Sequence, residues 1–274
     1  MKIFCWNMNY WQNTSEKVDK TIEWKSKCLD FFKEEENIDF FILQEINPIK
    51  LFEKTHNQYE FSMTDYSILY HELTNELLFD GRKSNCWGNA ILFNKKYKLA
   101  KNNLENNDLY DIDKYYYGRN SIMCYDFVSP DNKAITIVNF YNKINYADKG
   151  QYTMLDDFEN DSDIQSVLKH TSNNIILTGD FNTGFGPNDR EQYGKFIENI
   201  NKSLNLTDSV NNYSEKFIPT YCHLNGQFYL NDFCLTSKFD NVKIINEVDK
   251  WEYVDQRRLW KGLSDHRPLI IELE

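Results

Sequence analysis

The stretch TGDFNTGFG, residues 178–186, sets two polar side chains, Asp180 and Asn182, one residue apart behind the apolar run Asn174-Ile175-Ile176-Leu177. Ile-Ile-Leu reads as a short buried strand that Gly179 brings to an end. Taken alone, an Asp and an Asn at a strand end are ordinary turn chemistry. The arrangement recurs along the chain. Asn7 and Asn9 close the run at 2–6, Glu45 closes Ile-Asp-Phe-Phe-Ile-Leu-Gln, and Tyr141 closes Ile-Thr-Ile-Val-Asn-Phe. Asp232 lies inside Tyr-Leu-Asn-Asp-Phe-Cys-Leu, and Asp265-His266 comes just before Arg-Pro-Leu-Ile-Ile-Glu-Leu. Carboxylates, amides, a phenol and an imidazole gathered at strand ends are the parts of one polar reaction site, carried by several loops on a rigid scaffold.

The elements that must position these groups alternate between strand and helix patterns. Residues 2–6 and 38–43 are β-type runs, and the segments 66–70, 89–93, 121–128 and 134–141 read as further strands. Asp131-Asn132 marks a turn between the last two, which predicts a hairpin. Val18, Ile22, Leu29 and Phe32 fall at helical spacing within 16–36, and Leu155, Phe158, Ile164 and Leu168 do so within 148–170. A short helix is expected after Pro48, another helix near 190–204, and late strands near 228–236, 242–248 and 267–273. Strands outnumber helices and several are apolar on both faces. Two packed sheets with helices outside satisfy both observations.

Composition narrows the functional classes. The chain has 274 residues, 41% hydrophobic and 16% aromatic, with no repeat or Pro/Gly/Ser linker, so one domain over 1–274 is expected. The opening residues are too short an apolar run for a secretory signal, and no stretch approaches the roughly 18 apolar residues of a membrane span, so no stable membrane association is expected. The six Cys include no CxxC pair, and Cys5, Cys28, Cys124 and Cys234 lie in apolar segments. They read as small core residues of a reducing, cytoplasmic protein. A net charge of −11 argues against coating nucleic acid by bulk electrostatics, although Arg257-Arg258-Leu259-Trp260-Lys261 is locally basic and Trp251 or Trp260 could stack on a base.

The motifs WNMN (6–9), LQE (43–45), GDFN (179–182) and SDH (264–266), in that order, resemble those of the endonuclease/exonuclease/phosphatase superfamily, the deoxyribonuclease I-like proteins. The resemblance spans essentially the whole chain. It implies a four-layer α/β sandwich with two central, largely antiparallel sheets flanked by helices. It also implies a phosphodiester hydrolase dependent on Mg²⁺, with Mn²⁺ as a possible substitute. On the family pattern Glu45 is the metal carboxylate, with Asn7 an amide ligand beside it and Asp265 a metal or neighbouring carboxylate. Asn9 stands where some relatives carry Asp and would face substrate. Asp180 corresponds to the group that orients or deprotonates the attacking water, Asn182 to its neighbour on the nucleophile or a phosphate oxygen, and His266 to the phosphate-contacting histidine. Asp232 corresponds to the carboxylate that fixes the tautomer of that histidine, but Asn231 precedes it where a branched apolar residue is usual. Tyr141 sits where deoxyribonuclease-like members often carry His and exonuclease III or abasic-endonuclease types carry Tyr. Arg119, in GRNSIMCY, matches a strand-start phosphate contact. Nucleic acid is the substrate this favours. A phosphatase or phospholipase-like enzyme for small or lipid phosphoesters suits the acidic balance better, and a non-catalytic binding module would have no use for the full set.

Overall fold

The computed structural model describes residues 1–9, 18–46, 65–73, 87–102, 120–142, 168, 174–209, 217–237, 242–244, 251–254, 257–260 and 263–274. Two sheets dominate. In the first the order is β12 (Val242–Ile244), β15 (Leu269–Leu273), β1 (Lys2–Asn7), β2 (Phe40–Ile46), β4 (Trp87–Asn94) and β3 (Tyr66–Leu73). In the second it is β10 (Tyr221–Cys222), β11 (Phe228–Thr236), β8 (Asn174–Phe185), β7 (Ala134–Asn142), β6 (Asn120–Val128) and β5 (Lys98–Asn102), with β9 (Thr207–Asp208) added beside β11. β13 (Trp251–Val254) and β14 (Arg257–Trp260) pair as a separate ribbon. Each large sheet is mixed in the same way: one parallel pair at its centre, β1 with β2 and β7 with β8, and antiparallel neighbours on both sides.

The strand sequences explain this layering. Along β1, Ile3 and Cys5 face the gap between the sheets, while Phe4 and Trp6 face outward onto Leu29 and Phe32 of α1 (Val18–Glu36). Along β7 and β8, Ile135, Ile137 and Ile176 face the same gap, while Val138, Phe140, Ile175 and Leu177 face α2 (Arg190–Leu204). Strands buried on both faces must be apolar at odd and even positions alike, and these central strands are. Helix α2 packs through Tyr193, Phe196, Ile200 and Leu204, a three- and four-residue spacing. It stops at Asn205, whose left-handed backbone lets its N–H reach Asn201 O at 2.8 Å. The result is helix, sheet, sheet, helix, with three apolar layers between. Each fully buried Leu, Ile or Phe in them contributes roughly 1.5–3 kcal/mol. Among the described residues no helix is long and apolar enough to cross a membrane.

Several expectations are met. The hairpin through Asp131-Asn132 forms, with β6 and β7 in register from Asn120↔Asn142 to Val128↔Ala134. The helix near 190–204 and the strand at 228–236 are present. Cys5, Cys124, Cys222 and Cys234 are buried thiols, and Cys28 is a partly buried one. The strand read as ending at Gly179 does not end there. β8 continues through Asp180 and Asn182 to Phe185, so these two belong to a strand and not to the loop beyond it. Gly179 lies inside β8 at φ 149°, where an added Cβ would stand 1.8 Å from the Phe140 carbonyl oxygen of β7. Only glycine lets the two parallel strands approach this closely. Trp260, expected as a possible base-stacking residue, is buried at an edge-on contact with Trp6, ring centroids 5.6 Å apart. The side chains of Arg257, Arg258 and Trp251, the short helix after Pro48, all of 148–170 except Leu168, and residues 118–119 lie outside the described residues.

Candidate active site

The layer between the sheets is apolar at one end and polar at the other, and the change happens within single strands. Following every second residue, β1 reads Cys5, Asn7, then Asn9 beyond its end; β7 reads Ile137, Asn139, Tyr141; β8 reads Ile176, Thr178, Asp180, Asn182; β11, read backwards, goes from Cys234 to Asp232. A strand keeps one face by alternation, so this face passes from core to polar cluster without a break. All of Asn7, Asn9, Glu45, Asn139, Tyr141, Asp180, Asn182, Asp232, Asp265 and His266 are buried.

Glu45 reaches the cluster against the alternation. The β2–β4 register shifts between Leu43 and Ile46, and Glu45 adopts φ 50°. This bulge turns Glu45 to the same side as Gln44. Asn9 and Asn182 share the left-handed conformation, at φ 45° and 49°. Asn tolerates it. Glu does so at roughly 1–3 kcal/mol, a strain that surrounding contacts must hold. A second register shift, between Leu230 and Asp232 on β11, falls just before Asp232, which pairs with Asp180. Here Thr220 Oγ1 accepts the backbone N–H groups of Asn231 and Asp232 at 3.0 and 2.9 Å. Asn231, the residue that departs from the family pattern, accepts from Gly184 N at 2.9 Å and donates to Asn182 Oδ1 at 3.4 Å. An apolar residue could do neither.

The contacts bring nearly every candidate together. Asn7 Nδ2 donates to Glu45 Oε1 at 3.1 Å and to Asp180 Oδ2 at 2.9 Å. Tyr141 donates its hydroxyl to the same Glu45 Oε1 at 2.9 Å. Asp180 accepts from the backbone and side chain of Asn182 at 2.8 and 3.1 Å. His266 Nδ1 pairs with Asp232 Oδ2 at 2.9 Å, and its Nε2 lies 3.8 Å from Asp180 Oδ2. The segment holding Asp265 and His266 is fixed to both sheets: Trp6 Nε1 and Cys222 N donate to the carbonyls of His266 and Asp265, and Arg267 N to Thr220 O. Asp265 Oδ1 accepts from Asn9 Nδ2. Arg119 lies outside the described residues.

Lys25, missing from the sequence reading, completes the cluster. Its buried ammonium donates to Met8 O, between Asn7 and Asn9. Burial lowers its pKa to about 8, against the pull of Asp265 and Glu45. The signal was available: Val18, Ile22, Lys25, Leu29 and Phe32 follow one helical stripe, and a Lys on an apolar stripe needs a partner.

Two carboxyls and the imidazole are displaced from their ordinary ranges. Burial raises Glu45, despite the bonds from Asn7 and Tyr141. Burial also carries Asp180 up to about 8, more than the imidazole beside it offsets. Burial alone would lower His266, but the carboxylates of Asp232 and Asp180 outweigh it and raise it to about 10. Both Asp180 and His266 thus bind protons more tightly in the folded chain. The stability due to Asp180 is full below its ordinary 3.8 and is lost as pH rises to about 8; that due to His266 is full below 6.5 and is lost through about 10. In EDTA the thermal midpoint should therefore fall between about pH 6 and about pH 9. Asp180→Asn should flatten that slope, and a midpoint rising over this range would contradict the assignment.

The donor set suits a hard cation at Glu45. Among the described residues its buried Oε2 has no hydrogen-bond partner, an arrangement that a positive charge would relieve. Asp180, Asp232 and His266 also bring ligand atoms within 4.8 Å of one another. That trio is a poorer cage for such an ion, because Asp232 already occupies one imidazole nitrogen and hard cations favour oxygen.

No protein-family model matches the sequence, and no curated protein matches it. The fold has counterparts among solved structures, and they define it as the deoxyribonuclease I-like α/β sandwich of endonuclease/exonuclease/phosphatase proteins. An endonuclease/exonuclease/phosphatase family protein from Leptotrichia buccalis C-1013-b superposes with a TM-score of 0.55 at 17% identity, covering 100% of this chain and 99% of the other. TDP2 from D. rerio, complexed with a single-strand DNA product, gives 0.62 at 12% identity, covering 100% and 98%. The human Nocturnin catalytic domain, with a bound sulfate anion, gives 0.60 at 14% identity, covering 100% and 93%.

Proposed function

We propose that this protein is a divalent-cation-dependent phosphodiester hydrolase that acts on nucleic acid, with Mg²⁺ as its ion and Mn²⁺ as a substitute. The observation that carries the reading is the buried line Asp232–His266–Asp180 beside Glu45, whose Oε2 has no partner among the described residues. Glu45 would hold the ion, with Asn7 and Asp265 alongside. The ion would neutralise phosphate charge and supply the electrophilic pull on the scissile ester.

The remaining chemistry belongs to the chain. Asp180, in its carboxylate form, takes the proton of an attacking water, and Asn182 fixes its geometry. Asp232 holds Nδ1 of His266 in place, so Nε2 faces the reaction centre and presents a proton to a phosphate oxygen. Tyr141, bonded to Glu45, is placed to donate to phosphate or leaving group, as in the exonuclease III-like type. Arg119 and Asn9 would contact substrate.

Nucleic acid is favoured by the fold shared with TDP2, whose structure holds a DNA strand. A net charge of −11 favours a second reading, a small or lipid phosphoester. The test is a panel of single- and double-stranded DNA, abasic duplex, RNA, sphingolipid and inositol phosphates with Mg²⁺, each with an EDTA control. EDTA-sensitive cleavage of DNA or RNA is expected, weakening as salt rises. Cleavage confined to lipid or inositol phosphates would establish the second reading, and cleavage indifferent to EDTA would refute both.

A further inference from the structure

We propose that Asn139 is a positioning residue for Glu45, a carboxamide of one sheet that holds the strained bulge of the other; this rests on Glu45 as the cation carboxylate. Asn139 lies in mid-β7, wholly buried, in a strand that is otherwise apolar on this face up to Tyr141. Its contacts cross the gap between the sheets. Nδ2 donates to the carbonyls of Leu43 at 3.1 Å and Ala90 at 3.0 Å, and Oδ1 accepts from Gln44 Nε2 at 2.8 Å. Leu43 and Ala90 are the last β2–β4 partners before the register shifts. Gln44 and Glu45 are the next two residues, and Glu45 is the one at φ 50°.

One amide thus grips the bulge at its base, at both strands and at the side chain preceding Glu45. A buried amide is costly to place in an apolar layer unless all its bonds are made, and here both ends are used. Pairing with β4 does not fix Glu45, because that ladder is interrupted there; β1 pairs as far as Gln44, and within the sheet Glu45 N donates to Asn89 Oδ1 at 3.4 Å. The second sheet adds a further constraint through Asn139, so the direction of Glu45 depends on how the two sheets sit against each other. Removal of Asn139 should loosen the carboxylate without touching it.

The experiment compares Asn139→Leu with Ile137→Ala, a buried apolar position two residues earlier on the same face. Both variants should unfold at lower temperature. Mn²⁺ affinity of the folded proteins, measured calorimetrically at low temperature, should separate them. Groups that orient a metal ligand typically contribute 10–100-fold in affinity, so Asn139→Leu should weaken Mn²⁺ binding by about that factor while Ile137→Ala leaves it unchanged. Gln44→Leu, which removes the bond to Oδ1 and the weak contacts with Cys5 Sγ but leaves both Nδ2 bonds of Asn139, should shift affinity in the same direction by less, and serves if Asn139→Leu does not fold. Glu45→Gln is run beside them. If Glu45→Gln loses Mn²⁺ and the Asn139 and Gln44 variants bind as tightly as Ile137→Ala, the positioning role is refuted. If Glu45→Gln itself keeps its Mn²⁺, the cation assignment falls first and this inference with it.

Discussion

Replacement of His266 by Ala should lower turnover by about 10²–10⁴-fold on the substrate the protein cleaves, the contribution of one well-placed acid or base. The imidazole is buried between two carboxylates, with Nδ1 2.9 Å from Asp232 and Nε2 3.8 Å from Asp180. Asp232→Asn should cause a loss of similar order, because an amide at that place no longer selects the tautomer that points the right nitrogen at the phosphate. The double variant should be little worse than His266→Ala, since Asp232 acts through the ring it orients. Single-turnover rates for the three variants decide this. A double variant that loses the product of the two single losses would show Asp232 working independently of His266.

Glu45→Gln should abolish cation dependence while sparing the fold. Gln keeps the shape and can still meet Asn7 and Tyr141, but it removes a buried charge whose Oε2 has no partner among the described residues. Without cation the variant should be at least as stable as the native chain, because an unpaired buried carboxylate is costly. With Mn²⁺ at about 100 times its dissociation constant, the native protein should gain about 2.7 kcal/mol and the variant almost nothing. Activity should fall by more than the roughly 100-fold typical of groups that merely support a ligand. Thermal denaturation with and without Mn²⁺ reads the first effect. An equal Mn²⁺-induced shift in both proteins would remove Glu45 from the centre.

Much of the site was legible because strand alternation is rigid. A run such as Ile-Thr-Ile-Val-Asn-Phe-Tyr can present only every second side chain to one face, so Tyr141 was bound to share a face with Ile135 and Ile137. The helical spacing within α1 and α2 and the turn at Asp131-Asn132 were equally local. What stayed hidden was non-local. The strand at 174 appears to stop at Gly179 when glycine is read as punctuation; in the fold it is the residue that allows β7 and β8 to touch, and the strand runs on. No local pattern in Leu-Gln-Glu announces that a bulge turns Gln44 and Glu45 to one side. Asn139 passed as a strand interior because the partners it grips across the sheets, Leu43, Gln44 and Ala90, lie 49 to 96 residues away in the chain. Asn231 looked like a departure from the family pattern until Gly184 and Asn182 were seen to need it.

The placement of β1 bears on when this chemistry first becomes available. β1 has one neighbour close to it in the chain, β2, and one distant from it, β15, paired from Lys2↔Glu272 to Cys5↔Leu269. Asp265 and His266 enter on the same late segment, which Trp6 and Thr220 anchor. A chain in which β15 is still unpaired can hold Asp180, Asn182 and Asp232 on the second sheet and yet lack His266 beside them. The centre closes only when Leu269–Leu273 docks beside β1, so the carboxylates and the imidazole meet only in the fully paired fold.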